Sequence, residues 1–269
     1  MPYPRSLSLR GPHRGLLFAG MGLLLALVVV ATVASKRTSE AAPTTDQTRL
    51  GPVILVPGYG GGTGSLDKLA GRLRAAGRTA TVLQLAGDGT GDLLVEARRL
   101  KAAADAALAA GAPSVDVVGY SAGGVVARLW AAELGGAARA RRVVLLGSPD
   151  HGTDVAALGA ALGGSLCPAA CSELAPDSDL LHTLNAGGET PAGPQWVSIW
   201  SNQDQVVTPP DSARLDGAVD VVVQDVCPNE QVDHGSLPTD RAIQGLVLRA
   251  LAVPLMTAPS AADCAAVSS

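Results

Sequence analysis

The chain has 269 residues, 47% of them hydrophobic, and no break in composition near its middle, so one substantial core is expected rather than two. Its formal net charge is −4, and the body of the chain holds no cluster of Lys and Arg interleaved with aromatic residues. That balance excludes nucleic acid as a partner, because binding a phosphate backbone requires a basic face that displaces counterions.

The first residues differ from the rest. Arg5, Arg10 and Arg14 are the only formal charges before Lys36, and they precede a mostly apolar run from Gly15 to Ser35 closed by Lys36 and Arg37. A basic start followed by an apolar stretch without amphipathic period is an export signal, either removed after Ala34 or retained as a signal anchor, which would be the only attachment to a membrane. The expected location is outside the cytoplasm. The segment from Lys36 to Leu50 is polar and rich in Thr, Ala and Pro, as a solvated linker is.

From Val53 onward, short β-branched runs alternate with Ala- and Leu-rich stretches, the order that a doubly wound, mainly parallel sheet requires. Strands are predicted at Val53 to Val56, Ala80 to Leu85, Val115 to Val118, Arg142 to Leu146, Trp196 to Trp200 and Val219 to Gln224. Helices are predicted at Ser65 to Ala76, Asp92 to Ala110, Ala122 to Leu134 and Asp240 to Leu251, with a shorter one near Asp179 to Asn185. About fifty residues between the fourth and fifth strands carry only modest helical pattern. They are the natural place for substrate-binding elements and too few for a large cap domain.

Ser121 lies in Gly119-Tyr120-Ser121-Ala122-Gly123, after a β-branched strand and before an Ala/Val/Leu helix. This pattern holds a serine hydroxyl on a sharp strand-to-helix turn, and the flanking glycines are needed where a side chain would strike the adjoining strand or helix. The N-terminal amides of the helix point toward any negative charge developing there.

The chain here resembles the α/β-hydrolase superfamily, and within it the small bacterial secreted lipases and esterases called class 2 lipases. The resemblance covers about Pro52 to Leu251. It rests on the Ser121 turn, on Val56-Pro57-Gly58-Tyr59-Gly60-Gly61, on Leu146-Gly147-Ser148-Pro149-Asp150-His151-Gly152-Thr153, and on the segments around Asp204 and His234. Pro57 stands where most relatives have histidine. The resemblance implies an oxyanion hole made by the backbone N–H groups of Tyr59 and Ala122, with Tyr59, Tyr120 and His151 along the substrate cleft. A phosphate-cradle reading of the glycines at 58–62 fails, since neither the Gly-Lys-Ser/Thr ending nor the third glycine of a dinucleotide fingerprint is present.

The four histidines are His13, His151, His182 and His234. His234 follows the last strand and precedes the last helix, which fits the Ser, acid, His chain order of this fold. It is the predicted general base, with His151 the alternative. Asp204 sits four residues past an apolar strand and is the predicted acid that holds the His234 tautomer; Asp211 and Asp225 are its competitors.

An even count of four cysteines in an exported chain reads as two disulfides, of which three pairings are possible. Cys167 and Cys171 are spaced for a short local loop, leaving Cys227 with Cys264, a bridge that would fix the segment before His234. A zinc site is disfavoured by the spacing.

The expected organisation is thus residues 1–35 as export signal or signal anchor, 36–50 as linker, 51–253 as an α/β-hydrolase catalytic domain, and 254–269 as a tail tied down by a disulfide. The expected chemistry is cofactor-free, metal-independent cleavage of carboxylic esters, apolar or lipid in character. A non-catalytic hydrolase-like binding protein, or an acyltransferase, polyester or thioester hydrolase using the same residues, are the alternatives.

Overall fold

Alternation along each strand divides the core into two layers. In β1 (Val53–Val56), Val53 and Leu55 face one side of the sheet while Ile54 and Val56 face the other, and all four are buried. The computed structural model describes residues 45–163 and 167–269. The predicted export run and its cleavage site, with the first residues of the predicted linker, lie outside them. Among the described residues, no helix is long and apolar enough to cross a membrane.

The strands β1, β2 (Ala80–Val82), β3 (Val115–Tyr120), β4 (Ala140–Leu146), β5 (Gln195–Trp200) and β6 (Val219–Val222) form one sheet in the order β2-β1-β3-β4-β5-β6. Every neighbouring pair is parallel. On one face, Leu66, Leu69 and Leu73 of α1 (Gly64–Ala75) and Ile243, Leu246 and Val247 from a C-terminal helix cover Val53, Leu55, Val118, Val144, Val197 and Val221. On the other, Leu100 of α2 (Leu93–Ala109) and Val126 and Trp130 of α3 (Ala122–Glu133) cover Ile54, Val117, Val143, Leu145 and Trp196. This is the α/β-hydrolase architecture, and its parallel strands deliver all their C-terminal ends to one edge of the sheet, where chain-distant loops meet.

Two strands are shorter than predicted. β2 stops at Val82 because the chain turns toward α2, where the Glu96 carboxylate accepts from the Ala86 amide at 3.0 Å. β6 stops at Val222, and Val223 to Gln224 begin a short helix instead. The β4–β5 connection holds α4 (Asp154–Leu162), α5 (Ala169–Glu173) and α6 (Asp179–Asn185), of which only the last was expected. Helix α4 is capped by the Thr153 hydroxyl, which accepts from the Val155 amide at 3.4 Å. After α7 (Val223–Val226) come α8 (Arg241–Ala250), the C-terminal covering helix, and α9 (Cys264–Val267).

At the end of the predicted linker Asp46, Thr48, Arg49 and Leu50 are exposed, while the half-buried Gln47 holds the chain to the domain. The Gln47 carbonyl accepts from Arg141 and the Gln47 side chain donates to the Gly193 carbonyl. Arg141 and Arg78 also share the buried Asp116 carboxylate, both at 2.6 Å, which offsets the cost of their burial at the edge of the sheet opposite the loops. Cys167 is bonded to Cys171, and Cys227 to Cys264, tying the tail to α7.

Candidate active site

Ser121 joins β3 to α3 with φ 54° and ψ −128°, the sole non-glycine residue with positive φ among the described residues. Such a conformation costs free energy and persists only when its surroundings enforce it. Here the Ser121 amide donates to the Leu146 carbonyl at 2.9 Å, and the Ser121 carbonyl accepts from the Gly124 amide at 2.9 Å. A Cβ on Gly119 would lie 2.5 Å from the Gly123 carbonyl oxygen, and one on Gly123 would strike the carbonyl oxygens of Val56 and Pro57. The glycines therefore let β3, α3 and the loop after β1 close on one another. Gly58 is held so near that an added Cβ would sit 2.9 Å from the Ser121 Cβ.

The structure brings Ser121, His234 and Asp204 together from three separate strand ends. His234 Nε2 is 3.0 Å from the Ser121 hydroxyl, and His234 Nδ1 is 2.6 Å from Asp204 Oδ2. The other Asp204 oxygen accepts from the amides of Val206 and Val207 at 2.8 and 2.9 Å. Both Asp204 and His234 are buried. The carboxylate is thus oriented by two main-chain donors, and its remaining oxygen is left to the imidazole. The acid and histidine loops are also laced together. The Ser201 hydroxyl donates to the Val232 carbonyl at 2.6 Å, the Val232 amide donates to Gln203 at 3.1 Å, and Gln224 from α7 donates to the Ser201 hydroxyl at 3.0 Å.

The competing acids stand elsewhere: Asp225 is exposed, and Asp211 lines a different cavity. His182 is exposed on α6, and His13 lies outside the described residues.

Two of the predicted cleft residues occupy other places. Tyr120 lies behind the imidazole, its ring 5.2 Å from that of His234, and its hydroxyl donates to the His234 carbonyl at 3.0 Å. The reason is strand alternation: as the neighbour of Ser121, it projects to the opposite side of the turn, toward the layer beneath the histidine loop. Burial, with the carboxylates of Asp204 and Asp233 nearby, pushes its phenol up to about 12, so it remains a donor. His151 turns into a second, polar cavity with Glu189, Ser212 and Asp216. There its Nε2 is 2.7 Å from Glu189 and its Nδ1 3.2 Å from the Ser212 carbonyl, which draw the ring away from Ser121.

The cavity at Ser121 has a volume of about 280 Å³ and is walled mainly by apolar groups, among them Tyr59, Val155, Gly159, Cys171, Val206 and Val207. The backbone amides of Tyr59 and Ala122 donate to no acceptor among the described residues, while those of Gly60 and Gly61 are used to brace the loop. Sequence reasoning did not expect Val206 and Val207 in the cleft, whereas Pro149 and Thr153 belong to the segment from Leu146 to Thr153 on which the resemblance rests. Thr153 donates to the Val206 carbonyl at 2.6 Å and accepts from the Thr208 amide at 3.1 Å, tying the start of α4 to the loop after Asp204. The apolar pair after Asp204 was the available signal for the two valines.

The sequence matches the model of the family Lipase (class 2) over residues 88–235, more than half the chain. No curated protein sequence matches. Among solved structures, lipase B of Aspergillus fumigatus aligns over 85% of this chain at 20% identity with a TM-score of 0.68. The chain spans 58% of that lipase's length. The mature form of lipase BlEst2 of Bacillus licheniformis aligns over 78% of this chain and 94% of its own, at 17% identity and a TM-score of 0.62. At such identities the likeness is one of fold.

Proposed function

Since the chain belongs to the class 2 lipase family, we propose that it is an exported carboxylic ester hydrolase in which Ser121 is the nucleophile, His234 the general base and acid, and Asp204 the group that orients His234. The observation that carries this reading is the unbroken relay from Asp204 through His234 to the Ser121 hydroxyl, at 2.6 and 3.0 Å.

The steps follow from those contacts. As Ser121 Oγ attacks the ester carbonyl carbon, His234 Nε2 takes its proton, and the nearby Asp204 carboxylate stabilises the resulting imidazolium. Negative charge gathers on the former carbonyl oxygen, toward which the otherwise unused amides of Tyr59 and Ala122 donate. Each such donor typically lowers the barrier by about 3 kcal/mol. Collapse breaks the ester C–O bond, His234 returns the proton to the departing alcohol, and an acyl group remains on Ser121. Water, deprotonated by the same imidazole, then attacks the acyl carbon; its bond to Ser121 Oγ breaks, His234 returns the proton to that oxygen, and the acid leaves.

An apolar cleft of about 280 Å³ favours short to medium acyl groups on an apolar ester. Export is supported by the basic-then-apolar N-terminus and by two disulfides, which persist in oxidising compartments. In this reading, residues 1–35 direct export, 51–253 hold the catalytic domain and 254–269 form the disulfide-tied tail.

A fluorophosphonate probe tests the assignment. It should label the parent and not Ser121→Ala, and p-nitrophenyl esters of increasing chain length should be turned over by the parent alone. Labelling that survives Ser121→Ala would refute the nucleophile.

A further inference from the structure

Gln224 lines no part of the cavity at Ser121, yet every polar atom of its side chain is committed. It projects from α7 between Val223 and Val226, which are buried in the layer that also holds Val232 and Leu237. Its Oε1 accepts from the Asn202 amide at 3.1 Å, and its Nε2 donates to the Ser201 hydroxyl at 3.0 Å and to the Glu230 carbonyl at 3.3 Å. One side chain thus grips the acid loop at Ser201 and Asn202 and the histidine loop at Glu230. A main-chain N–H can only donate and a carbonyl can only accept, so the amide has a single workable orientation and no carboxylate could replace it.

The Ser201 hydroxyl closes the network. Ser201 is fully buried, and its one proton goes to the Val232 carbonyl, which leaves its lone pairs to accept from the Gln203 amide at 3.1 Å and from Gln224. Without Gln224 that buried oxygen loses a donor, a defect with a cost in free energy. Asp204 directly follows Gln203, and His234 is the second residue after Val232. The bonds of Gln224, Ser201 and Gln203 therefore hold the two loops at the separation across which Asp204 reaches His234 at 2.6 Å. The base of the clamp is itself fixed, for Cys227 donates its amide to the Val223 carbonyl at 2.7 Å and is bonded through sulfur to Cys264.

We propose that Gln224 is a positioning residue for the reaction: it sets the spacing of the acid and histidine loops, and so the reach of His234 Nε2 to the Ser121 hydroxyl. The proposal rests on the ester-hydrolase reading and adds to it a residue outside the relay on which the relay's geometry depends. Misplacing reacting groups by about 1 Å costs up to about a hundredfold in rate. Because Gln224 stands away from the cleft, its loss falls on kcat and spares KM.

The test sets Gln224→Ala and Gln224→Glu beside Gln195→Ala. Gln195, at the other end of β5, makes a comparable double contact with the Met256 carbonyl and amide at 2.7 and 2.9 Å, so its loss reports what removing such a tether does to the fold alone. Gln224→Glu keeps the size of the side chain and the acceptor for Asn202, and at neutral pH it cannot donate to Ser201 or Glu230. With a water-soluble acetate ester, both Gln224 variants are expected to lower kcat about tenfold with KM within about twofold, whereas Gln195→Ala leaves kcat within about twofold while melting at a similarly lowered temperature. The low-field proton resonance of the hydrogen bond between His234 and Asp204 is expected to shift or broaden in the Gln224 variants alone. Should Gln224→Ala fail to fold, the isosteric Gln224→Glu decides. A parental kcat or an unchanged resonance in Gln224→Glu, or an equal loss of kcat from Gln195→Ala, overturns the positioning role alone. Absence of soluble-ester turnover by the parent would overturn the hydrolase reading and the role of Gln224 with it.

Discussion

The Tyr120 hydroxyl donates to the main-chain carbonyl of His234 at 3.0 Å while its ring lies 5.2 Å from the imidazole, so the residue preceding the serine supports the residue facing it. Sequence neighbours thus serve opposite sides of one contact. Tyr120→Phe keeps the ring and removes the hydrogen bond, which is worth about 1 kcal/mol, or roughly fivefold in rate if it is expressed in the transition state. We expect kcat for a soluble ester to fall about fivefold with KM little changed. An unchanged kcat would remove Tyr120 from the positioning of His234.

Asp204 has both oxygens committed, one to the Val206 and Val207 amides and one to His234. In Asp204→Asn the amide can keep one set of contacts but cannot stabilise an imidazolium. Steady-state turnover is expected to drop by about a thousandfold or more while melting temperature shifts little. A loss below tenfold would point to another acid.

Asp150 supplies a pH dependence of stability. It is fully buried, and desolvation pushes its carboxyl up to about 7 against the opposing pull of Arg128, 3.5 Å away, and the Ser148 hydroxyl. An unfolded aspartate titrates near 3.8. The folded state therefore holds this proton more tightly, and the stability that Asp150 contributes is full below about pH 4 and is lost as pH rises toward about 7. Calorimetric melting of Asp150→Asn beside the parent should show the difference between them moving in favour of the variant across that interval. A pH-independent difference would show that Asp150 does not titrate there.

The two disulfides are expected to separate in their effects. Closing the 37-residue span from Cys227 to Cys264 contributes about 4 kcal/mol in the chain-entropy model, and the four-residue span from Cys167 to Cys171 about 2 kcal/mol. Cys227→Ala should therefore lower the melting temperature more than Cys167→Ala. Because Cys171 forms part of the cleft wall, Cys171→Ala should shift the preference among p-nitrophenyl esters toward longer acyl chains. Parallel changes in melting and chain-length profile for both bridges would refute the distinction.

Local pattern made the Ser121 turn legible, since a β-branched strand, a Gly-x-Ser-x-Gly sequence and an Ala/Val/Leu helix each restrict the backbone within a few residues. Chain order led to His234 and Asp204 as well; in the structure His234 meets Ser121, and Asp204 meets His234. Helix α4 escaped notice because its Ala- and Leu-rich sequence has no inward apolar face, which is the signal that periodicity detects. The shortened β2 and β6 depend on where Glu96 and Gln224 send their side chains, and neither partner is near in sequence to the residues it binds.

The sequence by itself determined the alternating layers and the strained turn at Ser121, because hydrophobic period and glycine placement act over one or two turns of chain. Tertiary structure alone decided that Tyr120 lies under the imidazole, that His151 faces a separate cavity, and that α4 borders the cleft. Those outcomes depend on which surfaces meet across the sheet edge, and a side chain's direction there is set by partners up to 114 residues away.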